Sequence, residues 1–161
     1  MKNIDFKIDY ASEYMIDKSL IEKSERKKLL CLKKNYVLVE TGFTTPNINF
    51  HEIIYKIQIN GYEPILAHPE RYLYLNGKND AFKLKDLGCK FQLNLFSITG
   101  LYGHKIIDSS NFFLKNNMYD FVGSDIHNLN QLKEYNKKIK TSHLKNLKKS
   151  IENNQLFNWF I

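Results

Sequence analysis

A polar residue that follows a short apolar run recurs through this chain at nearly constant spacing, and no other feature restricts the fold as strongly. Apolar or β-branched runs occur at Ile4–Ile8, Tyr36–Val39, Pro64–Ala67, Lys90–Leu95 and Phe121–Gly123. They lead to Glu13, Glu40, His68, Asn94 and Asp125, positions 26 to 31 residues apart. Between them lie residues at helical spacing. Leu20, Leu29, Leu30 and Leu32 form the first set, Ile53, Ile54 and Ile57 the second, and Phe82, Leu84 and Leu87 the third. Ile106, Ile107, Phe113 and Leu114 follow, then Leu144, Leu147, Ile151 and Leu156. Asn60-Gly61, Gly88 and Asn116-Asn117 act as stop signals. One such interval holds a strand, a helix and short connections. The chain therefore reads as α/β, five βα units around a parallel sheet. Its strands are expected to be buried on both faces. Each polar residue then marks the carboxyl end of its strand, the rim where parallel α/β folds assemble their chemistry.

At 161 residues, with no low-complexity or Pro/Gly-rich boundary, the expectation is a single domain over residues 1–161. With 43% hydrophobic and 25% charged residues the profile is globular. No apolar run approaches the ~18 residues of a membrane span, and the start MKNIDFKIDY is too polar for a signal peptide. Cys31 and Cys89 form no CxxC pair, which points to a reducing, cytoplasmic setting. The net charge of +7 gathers largely in Lys18–Lys34 and Lys133–Lys149. Both stretches read as amphipathic helices with a solvated lysine face, so neither nucleic acid nor membrane insertion is implied.

Carboxylates and imidazoles gathered on one rim suit Zn²⁺, Mn²⁺ or Fe ions, and a carboxylate can bridge two of them. General acid–base catalysis without metal is the alternative, but this many groups exceed what a dyad needs and repel one another without a cation. Asp125-Ile126-His127 adds a pair that can face one site where strand gives way to loop. Plainer roles exist for each. Glu40 could sit in a rim ion pair, and His68 could hydrogen-bond in the core, although Pro69 should hold the chain extended just past it. Asn94 suits a buried hydrogen-bonder better than a ligand. His51, His104 and His143 read as exposed, and Tyr55, Tyr72, Tyr74 and Phe96 as packing residues. Arg71, three residues after His68, suits a phosphate clamp with its planar donor fork; an ion pair with Glu70 or another rim acid is the alternative.

The blocks VLVETGF, GYEPILAHPERYLYL, FQLNLFSITGLYG and DFVGSDIHN resemble the metal-dependent tyrosine phosphatases of the PHP (polymerase and histidinol phosphatase) superfamily, found in bacterial capsule and exopolysaccharide loci. The likeness runs in unbroken order from about Ser12 to about Asn130, and ASEYMID is similar to the family's GxE segment. The resemblance implies a distorted (βα)₇ barrel around a cluster of metal ions. It implies Glu13, Glu40, His68, Asp125 and His127 as metal ligands, with Arg71, Asp125 and His127 catalytic and Arg71 holding the phosphate. It implies hydrolysis of phosphotyrosine by metal-activated water. The usual partner would be the tyrosine-rich tail of an autokinase controlling polysaccharide export, and an oligomer is compatible with this.

Neither cysteine is followed six residues later by arginine (Val37 and Leu95 stand there), so thiol-phosphatase chemistry is excluded. The family's opening H-x-H strand has no counterpart in this sequence, and NLNQLKEYNKK after His127 offers lysines where the family can carry an arginine. The expectation is a partial barrel: the C-terminal five βα units, about two N-terminal units short, with fewer metal ions than the family's usual number. Another PHP phosphoesterase acting on a small phosphate monoester, or an inactive truncated remnant, are the alternative readings.

Overall fold

The computed structural model describes residues 9–45, 49–75, 79–138, 145 and 147–157. Five strands, β1 (Glu13–Met15), β2 (Tyr36–Glu40), β3 (Glu63–Ala67), β4 (Lys90–Asn94) and β5 (Phe121–Gly123), pair in chain order, every neighbour parallel. Helices α1 (Lys18–Glu25), α2 (Phe50–Ile59), α3 (Asn79–Asp86), α4 (His104–Lys115) and α5 (Leu129–Lys138) each follow one strand, and α6 (Lys148–Asn153) comes after them. Short 3₁₀ turns at Pro69–Arg71, Leu73–Leu75 and Leu95–Thr99 lengthen the loops after β3 and β4. The expected alternation of strand and helix is present.

Helices α1 to α4 end alike. After α1, the Lys28 N–H donates to the Lys23 carbonyl at 3.0 Å and Lys27 N–H to Ser24 at 3.1 Å. The same paired bonds run from Tyr62 and Gly61, from Cys89 and Gly88, and from Met118 and Asn117, back onto α2, α3 and α4. This is the Schellman closure, whose pivot residue must enter the left-handed region. Gly61, Gly88, Asn117 and Lys27 do so, at φ of 83°, 85°, 53° and 54°. The first helix accordingly ends at Glu25 and not near Lys34: Leu29 is buried from a loop and Leu30 is exposed. Exposed Lys34 also holds φ at 54°. Lys34→Gly should therefore raise the unfolding free energy in urea by about 0.5–1 kcal/mol, because glycine enters this region without Cβ strain.

Crossovers between parallel strands are right-handed almost without exception. With a strand order that never reverses, they lay the helices on one face of the sheet. Burial agrees. Val37, Val39, Leu66, Phe91 and Leu93 are closed off, in one core with Ile53, Ile54 and Ile57 of α2, Leu84 of α3 and Phe113 of α4. The opposite face carries Leu38, Glu40, Lys90 and Gln92, all half-buried. The expectation of strands buried on both faces thus fails for β2 and β4, because the crossover helices cover one side only. Gly123 lies on this inner face, where an added Cβ would stand 2.8 Å from Gln92 Oε1. The glycine lets β5 close against that side chain.

Three further expectations meet the structure at its edges. Ile4–Ile8, Leu144 and His143 lie outside the described residues, as do 139–144 and 146 of the second lysine-rich stretch. The strand that carries Glu13 is β1 itself, with Glu13 as its first residue and not beyond its carboxyl end. No helix among the described residues is long and apolar enough to cross a membrane.

Candidate metal centre

Register sets the site. Met15, Glu40, Ala67, Asn94 and Gly123 end their strands at one edge of the sheet, and paired residues share a face. Glu13 pairs with Leu38, two residues before Glu40, and its side chain shares the same inner face. Glu13 Oε1 lies 3.4 Å from His68 Nε2, and Glu40 Oε2 lies 3.9 Å from the same nitrogen. Ligand atoms of Glu13, His68 and Asp125 all fall within 4.8 Å of one another.

His68 does not continue β3 as an extended residue. It turns left-handed at φ 38°, ψ 51°, and Pro69 opens a 3₁₀ turn. Proline suits that first position because its missing N–H would find no partner there. The turn swings the imidazole across the rim toward β1 and β2. The ring is almost wholly buried, with Nε2 toward the carboxylates and Nδ1 without a hydrogen-bond partner.

Asp125, also left-handed at φ 50°, is held from two sides. Arg71 Nη1 donates to its Oδ2 at 3.0 Å, and Asn94 Nδ2 donates to the same oxygen at 3.0 Å. Arg71 thus pairs with a rim acid, and that acid is Asp125. Glu70 points the other way. Its fully buried carboxylate accepts from Asn94 N (3.0 Å), Ser97 Oγ (2.6 Å) and Tyr119 Oη (3.0 Å). Asn94 is the buried hydrogen-bonder expected of it. Its backbone is tied to Glu70, its side-chain oxygen accepts from Phe96 N, and its amide group holds Asp125.

His127 stands outside the group of three. Its ring is two-thirds exposed, with Nδ1 2.9 Å from the Asp125 carbonyl and 3.5 Å from Asp125 Oδ1. His104 is exposed, whereas His51, expected to be exposed, is half-buried on α2 with its ring edge-on to Phe50. Tyr72 and Phe96 are packing residues, and Tyr55 is exposed. Phe43, Tyr102, Ser97 and Tyr119 escaped the sequence reading, since an isolated aromatic or hydroxyl carries no spacing signal. Glu70 was visible within HPER, but its inward direction was not.

The electrostatics are those of a site short of positive charge. Burial, then the neighbouring Glu13 carboxylate, pushes the Glu40 carboxyl above its usual range; Asp125 adds to the rise, and His68 and Arg71 oppose it. Three carboxylates around one imidazole form a donor set of hard oxygens and a borderline nitrogen, which fits a divalent ion such as Mn²⁺, Zn²⁺ or Fe²⁺. Such an ion would offset the repulsion that Arg71 offsets only in part.

The chain as a whole is similar to known proteins. A family model described as "Capsular polysaccharide synthesis, CpsB/CapC" matches residues 1–157. The tyrosine-protein phosphatase CpsB of Streptococcus pneumoniae is 30% identical over 138 residues, covering 81% of this chain and 57% of that protein. The tyrosine-protein phosphatase YwqE of Bacillus subtilis (strain 168) is 29% identical over 106 residues, 65% of this chain and 42% of its own. The chain thus spans about half the length of the relatives it matches. Among solved structures, the work on YwqE and CpsB as metal-dependent tyrosine phosphatases gives a match with a TM-score of 0.71 at 26% identity, covering 86% of this chain and 56% of that one.

Proposed function

The chain belongs to the CpsB/CapC family of capsular polysaccharide synthesis, and from that premise we propose that it carries the metal and phosphate site of a metal-dependent protein-tyrosine phosphatase. One observation carries the reading: a cluster of carboxylates and an imidazole at the strand ends lies directly beside an arginine, 3.0 Å from the shared Asp125. A phosphoryl group can be held by a cation and a guanidinium side by side.

In this reading Glu13, Glu40, His68 and Asp125 hold the divalent ions. His127, on the same loop and touching Asp125, completes the donor set. Bound ions would supply Lewis-acid neutralisation of the phosphoryl oxygens and an activated attacking water. Arg71 binds the phosphoryl group through the N–H donors that Asp125 leaves free, in the ground state and more strongly as charge develops. Asn94 keeps Asp125 directed at the site. A phenol leaves with a pKa near ~10, so a tyrosine ester asks less of a general acid than an alkyl ester does.

The fold proposed is a PHP-type partial barrel in one domain over residues 1–161. The unreversed strand order supports it. The proposed substrate is phosphotyrosine in a protein, the tyrosine-rich tail of an autokinase being the partner that capsule synthesis suggests. The lack of a disulfide between Cys31 and Cys89 supports a cytoplasmic setting. Burial pushes the Cys89 thiol up to about 12, which suits packing and not nucleophilic chemistry.

The test is hydrolysis of a phosphotyrosine peptide, a phosphoserine peptide and a small phosphate monoester, each with Mn²⁺ and with chelator. Metal-dependent release of phosphate from the phosphotyrosine peptide alone is expected. Arg71→Ala should raise KM and lower kcat, together costing roughly 10- to 100-fold in kcat/KM. Equal rates with chelator and with metal would refute the metal centre, and preference for the small monoester would reassign the substrate.

A further inference from the structure

Two aromatic rings stand against Arg71. Its guanidinium carbon lies 4.4 Å from the ring centroid of Phe43 and 4.8 Å from that of Tyr102. Phe43 belongs to a longer pile. Phe43 stacks on Tyr72 at 5.6 Å and 26°, and Tyr72 on Tyr74 at 5.9 Å and 24°. The two tyrosine hydroxyls pin the loop that carries Phe43: Thr41 N donates to Tyr72 Oη at 3.1 Å, and Tyr74 Oη donates to the Gly42 carbonyl at 3.1 Å. Tyr102 is tied from the other side, its hydroxyl 3.4 Å from Asn94 Nδ2. The loops after β2, β3 and β4 therefore converge on one guanidinium plane.

From this arrangement we propose that Phe43 and Tyr102 are positioning residues for the Arg71 clamp, holding its guanidinium in place before the phosphoryl group arrives. The inference rests on the reading of Arg71 as the phosphate clamp given above. An arginine on a loop has long, flexible torsions, and fixing them before the ligand arrives lowers the cost of binding. Two ring faces do this without drawing off a single N–H donor. One donor of the fork already reaches Asp125, and the others stay available to a phosphoryl group. Phe43 is 46% exposed, so its loss removes the clamp's wall without opening the core.

The experiment uses the 161-residue chain, with and without Mn²⁺, titrated calorimetrically with inorganic phosphate and with O-phosphotyrosine. Phe43→Ala and Tyr102→Leu are expected to weaken both ligands by about 3- to 30-fold each, the range of a partly desolvated cation–π contact. Phe43→Trp and Tyr102→Phe, which keep a ring, should stay within about two-fold of the parent. Arg71→Ala should weaken both phosphate and O-phosphotyrosine. The Arg71 Nε–Hε resonance gives a second readout, free of any ligand. It should lie upfield of an ordinary arginine in the parent and move back in Phe43→Ala and Tyr102→Leu. An ordinary shift in the parent, or ring-less variants that bind as the parent does while Arg71→Ala does not, would overturn the proposal and leave the clamp standing. Parent-like binding by Arg71→Ala, or a parent that binds neither ligand, would instead remove the clamp itself, and the proposal with it.

Discussion

Replacing Asp125 by alanine is expected to abolish metal-dependent hydrolysis, lowering it by at least ~100-fold, and to remove most of the stabilisation that Mn²⁺ confers. The effect is large because three groups converge on this one carboxylate. It stands in the cluster with Glu13 and His68, accepts from Arg71 at 3.0 Å, and accepts from Asn94 at 3.0 Å. Without it the donor set loses an oxygen, the clamp loses its anchor, and the buried Asn94 amide loses its acceptor. Mn²⁺ at 100 times its dissociation constant stabilises a folded chain by about 2.7 kcal/mol. For a chain of this length that is a rise in Tm of roughly 5–10 °C. Differential scanning calorimetry with and without Mn²⁺ should show that rise in the parent and little of it in Asp125→Ala. Asp125→Asn separates shape from charge. Its amide oxygen can still accept from Asn94, so its metal-free Tm should stay near the parent's while the Mn²⁺ response is lost. An Asp125→Ala chain that retains both the response and the activity of the parent would end the metal-centred account.

Glu70→Ala should destabilise the fold by about 3–5 kcal/mol, since each buried donor left without a partner costs roughly 1–3 kcal/mol and the lost volume adds a cavity. Three such donors depend on Glu70: Asn94 N, Ser97 Oγ and Tyr119 Oη. Glu70→Gln is expected to stay within about 1 kcal/mol, because its oxygen can keep two of those bonds and its amide can donate to the Tyr119 hydroxyl. The pair also predicts a pH dependence. Burial raises the Glu70 carboxyl above its ordinary 4.5, despite hydrogen bonds that lower it. Folding therefore favours the protonated form, so this contribution is complete below pH 4.5 and is lost as pH rises through the raised value. Urea unfolding at several pH values should show the parent losing stability relative to Glu70→Gln over that window. A constant difference between the two would mean that Glu70 titrates as a solvated carboxylate.

Much of this was written in the order of the residues. Intervals of 26 to 31 residues between polar strand-end positions required strand–helix alternation, and Asn60-Gly61, Gly88 and Asn116-Asn117 marked where three helices close. These are local effects: a left-handed pivot favours glycine or asparagine wherever it occurs, although Lys27 fills the same position after α1. The same locality misled at Lys18–Lys34, where an apolar period continued past a helix that closes on Lys27. β4, KFQLN, alternated polar and apolar in plain view, yet which alternate set met the helices depended on a crossover hand common to all units.

The site divides along the same line. The sequence by itself determined that acids, a histidine and an arginine would stand at successive strand ends, because parallel strands of similar length bring their termini to one edge. Only the tertiary structure decided which way each side chain left that edge. A left-handed His68 turned toward Glu13 and Glu40, while its neighbour Glu70 turned into the core to meet Ser97 and Tyr119. Arg71 went to Asp125, 54 residues away along the chain, and took Phe43 and Tyr102 as its walls. Those choices rest on desolvation and on partners from other loops, and such interactions exist only after the strands have been placed side by side.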